Sequence, residues 1–161
     1  MFKSKIVAMM ALIVFAMGIL LVGNAVAGER GKFVARWVVY TTAVHTLKVP
    51  DVEGHTILLY EAKGIAFTEK WGNCLAYQTT TVDLLKGEGT GQGYAHYTFP
   101  DGSTITNKYE SKSGGSIWEG TWTCIKGTGK FEGIQGAGTF KYHGMGPDRS
   151  YTDVEGEYTL P

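Results

Sequence analysis

Few side chains in this sequence carry chemistry beyond packing. His45, His55 and His143 each end or begin a stretch that alternates apolar and polar residues, with Asp51, Glu53 and Asp148 close by in the chain. Three imidazoles and a carboxylate make a donor set for Zn²⁺ or Cu²⁺. Their spacing carries no ligand signature, so solvated residues at strand ends are the default reading. Glu61 is a carboxylate set inside an apolar-alternating stretch, and Asn107 is an amide similarly placed. A carboxyl enclosed in an apolar pocket has a raised pKa and can move a proton. Catalysis is therefore expected only if Glu61 is buried. There is no Gly-x-Ser-x-Gly, His-Glu-x-x-His or Cys-x-x-Cys, and no cofactor is expected.

Aromatic residues form the other constellation. Tyr97, Tyr109, Trp118, Trp122 and Phe140, with Asn107 as a polar handle, fall on matching faces of neighbouring strands. They predict either a ligand cavity or a collapsed aromatic core, since small barrels are often filled by their own side chains.

These residues must be positioned by whatever follows the first 27. Lys3 and Lys5, the apolar run Ile6–Val22 and the small residues Ala25-Val26-Ala27 read as a signal peptide cleaved after Ala27. The run also approaches the length of a membrane anchor, which is the competing reading. Residues 28–161 are then one exported domain, periplasmic or extracellular, with no membrane contact after cleavage. The whole sequence has 15 Lys+Arg and 15 Asp+Glu, and removal of Lys3 and Lys5 leaves a slight acidic excess. Nothing here collects phosphates, so a nucleic-acid role is disfavoured.

The domain is rich in Gly, Thr, Tyr, Val and Trp, without a 3.6-residue apolar period, and so reads as all-β. Turn signals divide it into eight strands: 33–47, 55–67, 74–85, 90–99, 103–111, 116–125, 136–143 and 151–159. Pro100-Asp101-Gly102 suits a tight hairpin that pairs Phe99 with Ser103. That register puts Tyr97, Phe99, Ile105, Asn107 and Tyr109 on one face. In the second strand Glu61 and Lys63 share parity with Ile57, Leu59 and Phe67, and a bulge would turn the two charges outward. Eight short antiparallel strands predict an up-and-down barrel, with a two-sheet sandwich as the rival.

A meander of this kind gathers its loops at two ends. His45, His55 and His143 fall at one, the mouth. Cys74 and Cys124 fall at the other, together with the glycine-rich stretch 126–135 and both domain termini. An even cysteine pair in an oxidising compartment predicts a Cys74–Cys124 disulfide, against the alternative of two buried free thiols.

The stretch Lys126–Phe140 has glycines at 127, 129, 133, 136 and 138 around Phe131. It predicts a folded-over loop that presses Phe131 and Ile134 into the end of the sheet. No Gly-Lys-Ser/Thr ending follows, so a phosphate loop is set aside. Gly-Thr-Gly-Lys-Phe-Glu-Gly-Ile-Gln-Gly-Ala-Gly-Thr-Phe resembles the glycine-rich segment of the allene oxide cyclase-like and dirigent-like barrels. Asp101–Glu110 resembles the hairpin strand before it in bacterial members. The resemblance implies an eight-stranded, calycin-like antiparallel barrel, and a possible homo-oligomer. The sequence itself shows no exposed apolar patch that requires one. Allene oxide cyclases use a buried carboxylate, and dirigent proteins handle phenolic radicals. No residue of either activity transfers to this chain by motif. The leading expectation is a barrel that binds a small apolar or aromatic molecule. A cyclase or isomerase is the alternative, and a structural barrel with a filled core the third reading.

Overall fold

The computed structural model describes residues 28–161 apart from 115 and 116; the expected signal peptide lies outside the described residues. Eight strands follow one another: β1 Glu29–Lys48, β2 His55–Thr68, β3 Gly72–Leu85, β4 Glu88–Thr98, β5 Thr104–Gly114, β6 Ile117–Thr128, β7 Gln135–Gly144 and β8 Arg149–Leu160. Each pairs antiparallel with the next, and β8 returns to pair with β1, which closes the barrel. Closure leaves no free sheet edge, and this separates the barrel from the sandwich alternative.

Two irregularities set which residues face inward. On β1 the register with β2 shifts between Thr41 and Ala43. Phe33, Ala35, Trp37 and Val39 face the core before the shift, and Val44 lines the interior after it. On β6 the pairing with β5 jumps from Asn107–Cys124 to Thr106–Lys126, leaving Ile125 unpaired and exposed. Each bulge changes the parity of its strand.

The parity of β2 is the reverse of that expected for a buried Ile57–Leu59–Phe67 face. Its inner residues are Leu58, Tyr60, Ala62, Gly64, Ala66 and Thr68, while Leu59, Ile65 and Phe67 are exposed. At Ala62, Gly64 and Ala66 the wall takes only small side chains: a Cβ on Gly64 would lie 2.7 Å from the Cα of Val39. Glu61 and Lys63 face outward with their apolar neighbours, and β2 needs no bulge of its own to turn them. Ile65 and Phe67, with Leu75 of β3, which pairs with Ile65, form an exposed apolar patch on the outer wall. Such a patch was not expected from the sequence, because the face was assigned to the core.

The floor is a plug of rings around Trp71, in the β2–β3 turn. Trp71 meets Tyr158 at 4.7 Å, Phe131 at 4.9 Å and Phe33 at 5.5 Å between ring centroids. Phe131 comes from the expected folded-over loop, here a 3₁₀ turn at Gly129–Phe131, and both Phe131 and Ile134 are buried. Offset and edge-to-face contacts of this kind favour a specific arrangement over a fluid one. The loops beneath the plug are tied together by Lys130, whose Nζ lies 2.9 Å from Asp101 Oδ2 and whose backbone N–H donates to Ser103 Oγ at 3.1 Å.

Candidate functional site

Above the floor the interior splits in two. The upper chamber, about 330 Å³, opens toward the mouth and is lined by Trp37, Tyr60, Tyr109, Trp118, Phe140 and Tyr142 among others. The lower chamber, about 20 Å³, lies against Tyr97, Phe99, Ile105 and Asn107 on top of the floor plug. Trp122 lines both. The expected ligand-binding set therefore divides: Tyr109, Trp118 and Phe140 line the upper chamber, Tyr97 and Asn107 the lower, and Trp122 the boundary. Trp37, Tyr60 and Tyr142 join them, and the sequence reading had not singled these out. The inverted parity of β2 hides Tyr60, and Trp37 sits on β1, to which the sequence pattern assigned no face. Tyr142 stands two residues from Phe140 on β7 and so shares its face.

Glycines seat the rings. Gly93 faces Tyr109 across β4–β5, and a Cβ there would come 2.8 Å from the Tyr109 hydroxyl; on Gly120 it would come 2.6 Å from Phe140 Cζ. Trp122 lies over Gly138 and Gly156 of the next two strands, and its Nε1–H donates to the Glu155 carbonyl at 3.1 Å. Bare backbone at these points lets large rings lie against the wall and leaves the middle of the upper chamber open.

No charged side chain lines either chamber among the described residues. The polar groups are neutral, among them Gln78, Thr80, Thr152 and the tyrosines above, and Thr68, Tyr97, Asn107 and Tyr158 below. Burial raises the pKa of the Tyr60 and Tyr109 hydroxyls, so both remain protonated donors in ordinary conditions. Tyr109 is hydrogen-bonded to Thr80. Burial lifts Tyr97 further, with Cys74 and Tyr109 adding to the effect and the nearby Asn107 amide opposing it. Glu61, the one expected catalytic carboxylate, is outside this environment altogether. A larger hollow, about 1260 Å³, runs past Gln92, Glu110, Glu119 and Lys141 on the outer wall. Its charged lining suits water better than an apolar guest.

The three rim histidines do not converge, and no group of three metal-donor residues occurs among the described residues. His45 is exposed. His143 stacks on Tyr151, at 4.5 Å and 10° between planes. His55 is clamped, with Nδ1 2.8 Å from Asp51 Oδ1 and Nε2 2.9 Å from Asp83 Oδ1. Hydrogen bonds to Asp51 and then Asp83 raise its pKa, and with both ring nitrogens engaged by carboxylates it ties the β1–β2 loop to β3.

The expected disulfide is absent: Cys74 and Cys124 are both free. Both lie at the floor end, but β4 and β5 stand between their strands. Strands spaced about 4.8 Å apart put residues three positions round the wall beyond the reach of a disulfide, whose Cα atoms must approach within about 7 Å.

No family profile matches this chain, and no curated protein matches its sequence. Solved structures do. The pterocarpan synthase dirigent protein GePTS1 is similar at 10% identity with a TM-score of 0.52, over 86% of this chain and 92% of that one. The pterocarpan synthase dirigent protein PsPTS1 is similar at 12% identity with a TM-score of 0.50, over 82% of this chain and 97% of that one. Likeness at such low identity is likeness of fold. This chain's closed meander of eight antiparallel strands is thus the fold that these two barrels share.

Proposed function

We propose that this protein is an exported carrier or binding barrel that takes a small apolar or aromatic molecule into its upper chamber. The observation that carries the reading is the open, ring-lined space of about 330 Å³, within the size range of small-molecule sites, which are mostly apolar with a few oriented polar groups. Burial of a flat molecule there would remove apolar surface from water on both partners, at roughly 25 cal/mol per Å². The similarity to dirigent proteins supports a barrel that receives a small molecule; it supplies no identity for that molecule. The apolar run and Ala-x-Ala site before Gly28 support export. The cyclase or isomerase reading has lost its one candidate carboxylate, since Glu61 faces outward, and no other acid or base lines the chamber among the described residues. The filled-core reading describes the floor and not the mouth side.

The test is titration of the purified protein with an apolar fluorescent probe while tryptophan emission is followed. Saturable quenching or a spectral shift is expected, together with weaker probe binding by Trp118→Ala that retains the wild-type circular dichroism. No saturable binding by folded wild-type protein would leave a structural barrel in its place.

A further inference from the structure

The outer wall over β2 combines apolar exposure with two charges in a particular order. Val38, Ile65 and Leu75 form a row across β1, β2 and β3, with Phe67 beside it on the floor side. Ile65 and Phe67 are each 44% exposed and Leu75 is 66% exposed. A contiguous apolar patch that water reaches marks an interaction surface. On the mouth side of this row stand Lys63 and then Glu61, both facing outward, with exposed Leu59 beyond them. Neither charge has an ion-pair partner among the described residues. The Lys63 Nζ lies 5.6 Å from the centre of the Tyr77 ring, which holds the ammonium over the wall.

Read outward along β2, Leu59, Glu61, Lys63 and Ile65 run apolar, negative, positive, apolar. The order is unchanged from the other end once the signs are exchanged. That is the pattern of an isologous contact, in which residue i meets j while j meets i. A two-fold axis that crosses β2 at Ala62, lying in the wall and perpendicular to the strand, lays β2 of one copy antiparallel on β2 of the other. Glu61 of each copy then faces Lys63 of the other, and Leu59 faces Ile65. The flanking strands fit the same axis. Lys63 stands between Tyr40 and Tyr77, and Glu61 between Ala43 and Thr79, so large side chains fall opposite small ones. A two-fold axis running along the strand would instead set Lys63 against Lys63. Face-to-face sheets pack about 10 Å apart with strands within about 30° of each other, which suits this arrangement.

We propose that the outer wall of β1, β2 and β3 is a two-fold interface between two copies of this chain, with reciprocal Glu61–Lys63 ion pairs at its centre and the Ile65 and Leu59 side chains packed on either side. The charges set the register and reject other partners, while the apolar residues supply the buried area. The interface is independent of the binding function assigned to the upper chamber.

Sedimentation equilibrium of the purified protein tests it, with circular dichroism as the check on folding. Wild type at about 100 µM is expected to be a dimer. Glu61→Lys and Lys63→Glu each set like charges face to face at two symmetry-related points, and each should weaken dimerisation at least about tenfold. The double exchange Glu61→Lys with Lys63→Glu restores opposite signs across the axis and should return the affinity to within about threefold of wild type. A monomeric wild type overturns the proposal, as does a trimer or larger ring. So does a dimer that survives both single reversals, or one that the double exchange fails to restore. Should the variants fail to fold, zero-length carbodiimide cross-linking of wild type decides: a covalent dimer joined from Glu61 of one copy to Lys63 of the other is expected, and no such link overturns the proposal.

Discussion

Trp122 rests on Gly156: a Cβ at that glycine would lie 2.5 Å from Trp122 Cζ2 and 2.3 Å from the Ala137 carbonyl oxygen. The first contact belongs to a side chain held in place by its hydrogen bond to the Glu155 carbonyl, and the second is backbone, so neither neighbour yields easily. Because Trp122 borders both chambers, the absence of one side chain on β8 shapes the whole interior.

Gly156→Ala should therefore lower stability by about 1–3 kcal/mol, the usual cost of forcing a methyl into a packed region, and should shift the tryptophan emission. Gly144→Ala provides the comparison, since no atom lies within 4 Å of its Cβ position. Urea denaturation of the two variants checks the contrast. Equal stability would show that the β8 wall moves readily to admit the methyl.

The barrel was legible from turn chemistry and strand alternation, and the Pro100–Gly102 hairpin shows why. Its turn type dictates the Phe99–Ser103 pairing, seen as a Phe99 N–H to Ser103 carbonyl bond of 2.9 Å. From that one register the inward face of Tyr97, Ile105, Asn107 and Tyr109 follows residue by residue. β2 lacks such an anchor. Its outward face is the more apolar of the two, because the crowded interior takes Ala62, Gly64 and Ala66, so hydrophobicity assigns it backwards. A bulge at Thr42 then decides whether Val44 or Ala43 looks inward, and an extra residue in a long alternating strand leaves little trace in composition. The aromatic half of the site was readable for the same reason as the hairpin. The Trp37–Tyr60 half was not.

Asp101, in the floor loops, should add a definite component to the acid sensitivity of the fold. The Lys130 ammonium, followed by the Ser103 backbone N–H, pulls the Asp101 carboxyl down to about 2. A carboxyl whose pKa is depressed by folding stabilises the folded state above its ordinary pKa, and that contribution disappears as pH falls through the folded value. The stabilisation is thus present at neutral pH and lost progressively from the ordinary carboxylate range down to about 2. Asp101→Asn should be less stable than wild type at neutral pH, and the two should converge in strong acid. Solvent screens this exposed pair, so the difference is small but has a definite sign. Urea midpoints measured down the acid range test it, and parallel curves would remove Asp101 from the account.

The two cysteines should behave as distinct thiols. Burial pushes Cys74 up to about 11, and burial also raises Cys124, which is only half-buried and makes a weak contact to the Lys126 carbonyl. The thiolate is the reactive form, so at neutral pH Cys74 exists almost wholly as the unreactive thiol and is sterically covered as well. Iodoacetamide added to the native protein without reductant should modify Cys124 slowly and Cys74 more slowly still. Unfolding in urea, still without reductant, should release both for rapid and complete labelling. A Cys74 that labels as fast as Cys124 in the native state would mean that the floor opens readily around the Trp71 plug. Failure of either thiol to label after unfolding would show that the pair is bridged, and the floor would then have to close far enough to bring β3 and β6 within disulfide reach.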